Sequence, residues 1–202
     1  ARRRRKRRRR SEAAGDSPMK KKGPLSGKRV VLGVTGSIAA FKAAEICSQL
    51  VQRGADVHVV MTKSATEFVG PLTFQTITRR RVMIDQFDLE SVIDATHISL
   101  TEEADLVLVA PATANFIGKA AHGMADDMLT SLLLAVTCPV LVAPAMNDRM
   151  WKNAIVQENL AKLRKSATII EPEEGFLACG TYAVGRLADP AKILKEVERC
   201  MS

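Results

Sequence analysis

Cys179 is the residue whose sequence surroundings best suit a chemical role. It lies in the segment Gly-Phe-Leu-Ala-Cys-Gly at residues 175–180, within a long loop predicted between Pro172 and Pro190. Long loops in compact domains are usually functional or disordered. A cysteine beside glycines should also be more exposed than a cysteine in a helical pattern. Because a free cysteine is most often a small buried hydrophobic residue, a structural role remains the alternative.

Two further side chains could act together with a thiol. His97, in the segment Ala-Thr-His-Ile-Ser-Leu at residues 95–100, could serve as a general acid or base. Asn147 ends the segment Ala-Pro-Ala-Met-Asn at residues 143–147, and its amide could hold a carboxylate or another amide. Taken singly, a histidine is more often structural, and an asparagine in such a position more often caps a helix.

A turn that contains glycine is the candidate for binding a phosphate. In Gly-Val-Thr-Gly-Ser-Ile, at residues 33–38, Gly36 would let the backbone approach a ligand closely and Ser37 could cap the following helix. The free N–H groups of a helix N-terminus bind anions. The segment matches neither the GK[ST] phosphate loop nor GxGxxG, so a simple helix cap is the alternative.

A second turn of small residues could lie along a ligand. The segment Ala-Pro-Ala-Thr-Ala-Asn-Phe, at residues 110–116, follows an apolar strand pattern. With so little side-chain bulk, its backbone could lie against a flat ring or a phosphate. The alternative is an ordinary strand-to-helix turn in which Thr113 or Asn115 caps the helix.

The predicted elements bring these segments to one edge of a sheet. Strand patterns occur at residues 29–34, 56–62, 104–110, 139–143 and 167–170, and helical patterns at 38–52, 115–122, 125–135, 153–165 and 190–200. This alternation is typical of one α/β domain with a doubly wound parallel sheet. Ligands of such sheets bind at the carboxyl ends of the strands, where the segments described above lie.

Positive charge is concentrated at one end of the 202-residue chain. The net charge is +8, but residues 1–22 contribute +10 and the remainder −2. Residues 2–10 are all Arg or Lys, a tract that repels itself and predicts disorder. If the protein binds nucleic acid at all, this tract would do so. We predict a basic disordered tail and linker over residues 1–27 and one domain over residues 28–202.

The composition argues against several classes of protein. No run of eighteen apolar residues is present, so a membrane span is not expected. The four cysteines form no CxxC pair and the three histidines are scattered, so no metal site is expected. Widely spaced thiols are typical of a reduced protein, and we therefore expect a cytoplasmic location.

Five short segments, taken together, resemble one family. They are Gly-Ser-Ile-Ala at 36–39, Thr-His-Ile at 96–98, Pro-Ala-Thr-Ala-Asn at 111–115, Pro-Ala-Met-Asn at 144–147 and Leu-Ala-Cys-Gly at 177–180. Because the five segments occur in this order and at this spacing, the chain resembles the homo-oligomeric flavin-containing Cys decarboxylases, and within that family the phosphopantothenoylcysteine decarboxylases. The resemblance covers about residues 28–200 and is closest to the decarboxylase half of bacterial bifunctional decarboxylase–synthetases.

The resemblance implies a Rossmann- or flavodoxin-like domain that forms trimers, or dodecamers of trimers, with FMN at subunit interfaces. It implies His97 as the active-site base, Asn147 as the anchor of the substrate carboxylate and Cys179 as a proton donor. The residues expected at the flavin are Gly36, Ser37, Ile38, Thr62, Ser64, Phe68, Thr113, Ala114, Asn115 and Phe116. The residues expected at the substrate are Met146, Asn147, Leu177 and Ala178.

The implied reaction converts 4′-phosphopantothenoylcysteine to 4′-phosphopantetheine during coenzyme A biosynthesis. The α-carbon of a cysteine amide has no electron sink, so direct loss of CO₂ would leave an unstabilised carbanion. In the family's mechanism, oxidation of the CH₂–SH group to a thioaldehyde first supplies that sink. A thiol of ordinary pKa, about 8.5, is mostly protonated at neutral pH, so Cys179 is expected to donate a proton.

Three other functions compete with this interpretation. A decarboxylase of C-terminal peptide cysteine would share the flavin site, and a non-catalytic flavin-binding regulatory subunit would share the fold. A flavin prenyltransferase is disfavoured, because it lacks the segments at 144–147 and 177–180. For the decarboxylase, a separate synthetase is a possible partner.

Overall fold

The central element is a parallel sheet of five strands. The computed structural model describes residues 23–86 and 96–202, with the side chains of 96–99 outside that description. The strands are β1 (Arg29–Val34), β2 (Asp56–Met61), β3 (Leu106–Ala112), β4 (Val140–Pro144) and β5 (Thr168–Ile169). Their order across the sheet is β2-β1-β3-β4-β5, and every pair is parallel. The predicted doubly wound α/β fold is confirmed.

Helices cover both faces of this sheet. The eight α-helices of the described residues are α1 (Ala40–Gln52), α2 (Pro71–Thr78), α3 (Thr96–Glu103), α4 (Ala114–Ala121), α5 (Met128–Ala135), α6 (Asp148–Trp151), α7 (Ala154–Leu163) and α8 (Pro190–Met201). A short 3-10 helix (Lys63–Glu67) follows β2. Among the described residues, no helix is long and apolar enough to cross a bilayer.

Alternating strand residues build two separate cores. Val30, Leu32 and Val34 of β1 pack into the layer formed with α1, α2 and α8, whereas Val31 packs into the layer with α3, α4, α5 and α7. Successive side chains of a strand point to opposite faces. All seven residues of β3 are buried, as expected for a central strand covered on both sides. This burial explains why continuous apolar runs predicted the strands correctly.

One predicted loop is instead a β-hairpin. The segment expected to be a long loop between Pro172 and Pro190 contains the antiparallel strands β6 (Glu173–Phe176) and β7 (Tyr182–Arg186). The loop prediction was wrong because most side chains of both strands are partly or fully exposed. Strands that bury no face lack the alternating apolar pattern by which a strand is recognised in sequence.

The domain begins before the predicted boundary. Residues 23–27 were predicted to belong to a linker, but Leu25 is only 1% exposed and packs in the core. Its backbone N–H donates to the carbonyl of Arg53 at 3.0 Å. The prediction failed because one leucine among small and polar residues gives no periodic signal. The tail predicted over residues 1–22 lies outside the described residues.

We predict that Leu25→Ala destabilises the domain by about 2–5 kcal/mol, the usual range for truncating a buried leucine. Thermal unfolding of the purified chain would measure the loss as a lower melting temperature. Leu72→Ala is the matched control, because Leu72 is 72% exposed and its truncation should change stability by less than about 0.5 kcal/mol. Equal melting temperatures for the two variants would show that residues 23–27 are a linker after all.

Candidate functional site

A cavity of about 550 Å³ lies beyond the carboxyl ends of β1 and β4. This volume is within the roughly 300–1,000 Å³ typical of small-molecule sites. The cavity is lined by Ser37, Ile38, Ala39, Phe41, Lys42, Ala145, Met146, Asn147, Phe176, Leu177, Ala178, Cys179, Gly185, Arg186 and Leu187. It therefore unites three of the segments singled out in the sequence, at 36–39, 144–147 and 177–180.

Asn147 and Cys179, two of the predicted catalytic residues, are hydrogen-bonded to each other. The Asn147 Nδ2 donates to the Cys179 Sγ at 3.3 Å. At the same time the Asn147 Oδ1 accepts from the backbone N–H of Arg149 at 2.9 Å and caps helix α6. The cap fixes the amide, so that its N–H group points to the thiol. Asn147 is therefore a helix cap, and its hydrogen bond to the thiol is compatible with the predicted functional role.

The Cys179 thiol is exposed and is surrounded by neutral hydrogen-bonding groups. The Thr181 hydroxyl lies 3.0 Å from the Sγ. Hydrogen bonds from this hydroxyl, from the Thr181 backbone and from Asn147 lower the pKa of Cys179 below its ordinary value. The expectation of an ordinary thiol pKa was therefore wrong. By contrast, burial raises the pKa of Cys47 to about 12.

Thr181 is a site residue that the sequence interpretation missed. Its position two residues after Cys179 is informative only once the segment is known to be a hairpin, because a hairpin turn folds such residues towards each other. The turn is closed by bonds from Leu177 N to Thr181 O at 2.8 Å and from Gly180 N to Leu177 O at 2.9 Å. Gly180 has a φ of +83°, a conformation that glycine adopts at little cost.

The hairpin is held against β4 by a close backbone contact. The Met146 N–H donates to the carbonyl of Gly185 at 2.9 Å. A Cβ at Gly185 would lie 2.2 Å from the carbonyl oxygen of Met146, and the φ of Gly185 is +144°. Only glycine fits there, so this contact sets the position of Cys179 over Asn147.

The turn after β1 lies against the turn after β2. A Cβ at Gly36 would lie 2.5 Å from the Ser64 Oγ, and the Ser64 Oγ lies 3.2 Å from the Thr62 Oγ1. Within the described part of the chain, the backbone N–H groups of Gly36 and Ile38 have no protein acceptor. The predicted phosphate-binding residues therefore form one cluster of free N–H groups and hydroxyls.

Thr35 joins the exits of β1 and β3 and was also missed. Its buried Oγ1 donates to the carbonyl of Pro111 at 2.8 Å and accepts from the N–H of Thr113 at 3.0 Å. The Thr113 Oγ1 in turn accepts from the N–H of Phe116 at 3.2 Å and caps helix α4. The sequence carried no signal for this role, because the burial and the partners of the hydroxyl come only from the fold.

Not every predicted site residue reaches the cavity. Thr62, Ser64, Phe68 and the segment at 113–116 lie outside its lining. Phe116 is 2% exposed and packs in the core, so only its backbone could contact a flavin, whereas Asn115 is exposed. The backbone of His97 belongs to α3, but its side chain lies outside the described residues.

The fold and the site together define a class of ligand-binding α/β protein. The chain is a doubly wound α/β protein with a ligand cavity at the carboxyl edge of its parallel sheet and an exposed thiol in that cavity. A family model described as Flavoprotein matches residues 18–202. The chain therefore belongs to the Flavoprotein family.

Several known proteins are similar to this chain. It is 49% identical over 176 residues to the coenzyme A biosynthesis bifunctional protein CoaBC of Bacillus subtilis (strain 168), an alignment that covers 87% of this chain and 43% of the relative. The chain thus spans less than half the length of curated relatives that it matches, 43–44% of each.

Solved structures show the same fold. A cysteine-to-serine mutant of PPC decarboxylase, complexed with pantothenoylaminoethenethiol, superimposes with a TM-score of 0.75 at 33% identity and covers 85% of this chain and 97% of that one. The FMN-dependent cysteine decarboxylase SpaF superimposes with a TM-score of 0.71, also at 33% identity, and covers 86% of this chain and 99% of that one.

We predict that Gly185→Ala detaches the hairpin from β4, because the new Cβ would meet the Met146 carbonyl and the backbone would be strained. Limited proteolysis should cleave the turn at residues 177–181 at least about tenfold faster, since exposed and loosened turns are the preferred sites of cleavage. Gly70→Ala is the matched control, because Gly70 has a φ of −66° and open space around it. An unchanged cleavage rate in Gly185→Ala would contradict the anchoring role.

We predict that Thr181→Val raises the pKa of Cys179. The hydroxyl hydrogen bond favours the thiolate, so its removal shifts the pH midpoint of iodoacetamide alkylation upwards towards that of a free cysteine, about 8.5. Alkylation at Cys179 is followed peptide by peptide with mass spectrometry. Thr76→Val serves as the control, because the Thr76 hydroxyl bonds only the carbonyl of Leu72. The same midpoint in wild type and Thr181→Val would refute the assignment.

Proposed function

We propose that this chain is an FMN-dependent carboxy-lyase that decarboxylates 4′-phosphopantothenoylcysteine to 4′-phosphopantetheine in coenzyme A biosynthesis. The observation that carries the proposal is the hydrogen bond between Asn147 and Cys179 inside a cavity at the carboxyl edge of the sheet. Similarity to CoaBC and to PPC decarboxylase supports the same substrate.

The cluster around Gly36 fits the phosphate of FMN. Two backbone N–H groups without protein acceptors and two neighbouring hydroxyls, those of Thr62 and Ser64, are suitable partners for an anion. A side chain at Gly36 would fill the space against Ser64. The flavin itself would contact the exposed residues Ile38 and Phe68 and the backbone of the segment at 113–116. When bound, FMN supplies the oxidation of the substrate thiol and the return of the hydride.

The residues of the cavity have separate tasks in this reaction. The Asn147 amide donates to the substrate carboxylate, and Met146, Leu177 and Ala178 exclude water around it. Loss of CO₂ leaves an electron pair that the C=S group accepts as an enethiolate. Cys179 then donates its proton to the α-carbon, and its resulting thiolate is stabilised by Thr181. We assign to His97 the removal of the substrate thiol proton.

We further propose that the enzyme is a homo-oligomer, a trimer or a dodecamer of trimers, that works with a phosphopantothenoylcysteine synthetase activity. Large apolar side chains such as Leu134 and Ile155 are more than half exposed, and contact with another subunit would bury them. The matched relatives are bifunctional proteins of which this chain covers 43–44%. The four free cysteines suit a reducing compartment, the cytoplasm.

A peptide cysteine decarboxylase is the second candidate. The similarity to SpaF, an FMN-dependent cysteine decarboxylase, favours this function. The sequence identity to SpaF is 33%, the same as the identity to PPC decarboxylase. Both reactions require the same carboxylate anchor and proton donor. The two candidates differ only in what is attached to the nitrogen of the cysteine.

The test combines an absorbance spectrum with an assay of CO₂ release from 4′-phosphopantothenoylcysteine. We expect a yellow protein that releases CO₂, and a Cys179→Ser variant that keeps its colour but loses turnover by at least about a hundredfold. Cys200→Ser is the control, because Cys200 lies on α8 outside the cavity. Turnover of a peptide ending in cysteine, without turnover of the phosphorylated substrate, would establish the second candidate. A protein that does not take up FMN would refute both.

A further inference from the structure

Two cations in the cavity have no task in the chemistry described above. Lys42 of α1 and Arg186 of β7 both line it, and none of its lining residues is a carboxylate. The rest of the lining is apolar or neutral, including the exposed rings of Phe41 and Phe176. The cavity therefore combines an apolar wall with a net positive charge, and this combination suits an anionic ligand with an aliphatic body.

Among residues 23–86 and 96–202, Lys42 has no side-chain partner that would explain its position. Its side chain makes no hydrogen bond or ion pair with any described residue. The acid nearest to it along α1, Glu45, instead accepts from Gln49 at 3.1 Å. Lys42 is also the third residue of α1, where a cation is disfavoured by the positive end of the helix dipole. A lysine at this position, with no carboxylate paired to it, departs from the helix-dipole preference, and such departures are expected at functional sites.

Arg186 is held in place but retains free donors. Its Nη2 donates to the Glu173 Oε2 at 3.2 Å, and the guanidinium lies so close to Gly175 that a Cβ there would be 2.8 Å from the Arg186 Nε. Glu173 also pairs with Lys192 at 3.7 Å. A guanidinium has five N–H donors in a planar fork that suits phosphate. The ion pair with Glu173 therefore positions Arg186 and leaves other N–H donors of the guanidinium for a ligand.

We propose that Lys42 and Arg186 form the subsite that binds the phosphate of the substrate and so select phosphorylated over unphosphorylated substrates. This inference rests on the proposed function, and it concerns a phosphate monoester carrying about two negative charges. The flavin carries a phosphate monoester as well. We assign the pair to the substrate because Lys42 and Arg186 line the same cavity as Asn147 and Cys179. Of the groups assigned to the flavin phosphate, Ser37 and Ile38 also line this cavity, but Gly36, Thr62 and Ser64 do not.

The experiment compares kcat/KM for 4′-phosphopantothenoylcysteine and for pantothenoylcysteine, which lacks the phosphate. In Lys42→Met, which keeps the length of the side chain but removes its charge, the ratio of the two values should fall at least tenfold, mainly through a higher KM for the phosphorylated substrate. Lys42→Arg should restore most of the ratio. The control is Lys195→Met, because Lys195 is exposed on α8 and lies outside the cavity lining.

Two further measurements separate the possible sources of the phosphate. If Lys42 binds the flavin phosphate instead, Lys42→Met weakens FMN binding in a fluorescence titration and lowers both kcat/KM values together, which overturns the inference. If the protein turns over neither substrate, the proposed function fails. The subsite is then tested by calorimetric binding of 4′-phosphopantetheine and pantetheine. A preference for the phosphorylated compound that Lys42→Met abolishes supports the subsite, and equal binding of both compounds to the wild type refutes it.

Discussion

The close approach of Gly185 to Met146 is the contact on which the geometry of the site depends. The two backbones meet through one hydrogen bond, and no side chain fits between them. Met146 lies two residues after the end of β4 and directly precedes Asn147, whereas Gly185 belongs to the hairpin that carries Cys179. The contact therefore joins a rigid strand end to a largely exposed hairpin. Without it, the thiol would have no fixed relation to the amide.

The parallel sheet makes this arrangement possible. Because all five strands run in one direction, their carboxyl ends open at a single edge, and residues far apart in sequence meet there. Thr35 bridges the exits of the neighbouring strands β1 and β3 with two hydrogen bonds. Such buried and fully satisfied polar contacts make the edge rigid, and a rigid edge is what a site for several ligand groups requires.

The sequence predicted the strands that are largely buried and missed the largely exposed hairpin. The strands β1 to β4 were found within two residues of their ends, because runs such as Leu106–Ala112 are buried on both faces. The strands of the hairpin were not predicted, because they bury no continuous face. Asn147 and Cys179 were found through the family resemblance. Thr35 and Thr181 were not, since a hydroxyl acquires its role only from the backbone and side-chain groups that the fold brings to it.

The hydrogen bonds of Cys179 suggest how its pKa would change during the proposed decarboxylation. Neutral donors, led by Thr181, lower the pKa of Cys179 below the ordinary value of a thiol, so the thiol is a stronger acid than a free cysteine. A substrate carboxylate bound at Asn147 would compete for the amide hydrogen bond and add a negative charge nearby, and both effects raise the pKa of a thiol. The bound carboxylate would thus shift Cys179 towards its protonated form. Departure of CO₂ leaves the negative charge on the enethiolate but frees the Asn147 amide, which can again donate to Cys179. The restored hydrogen bond lowers the pKa of the thiol, so the thiol becomes a better proton donor at the moment the α-carbon requires a proton.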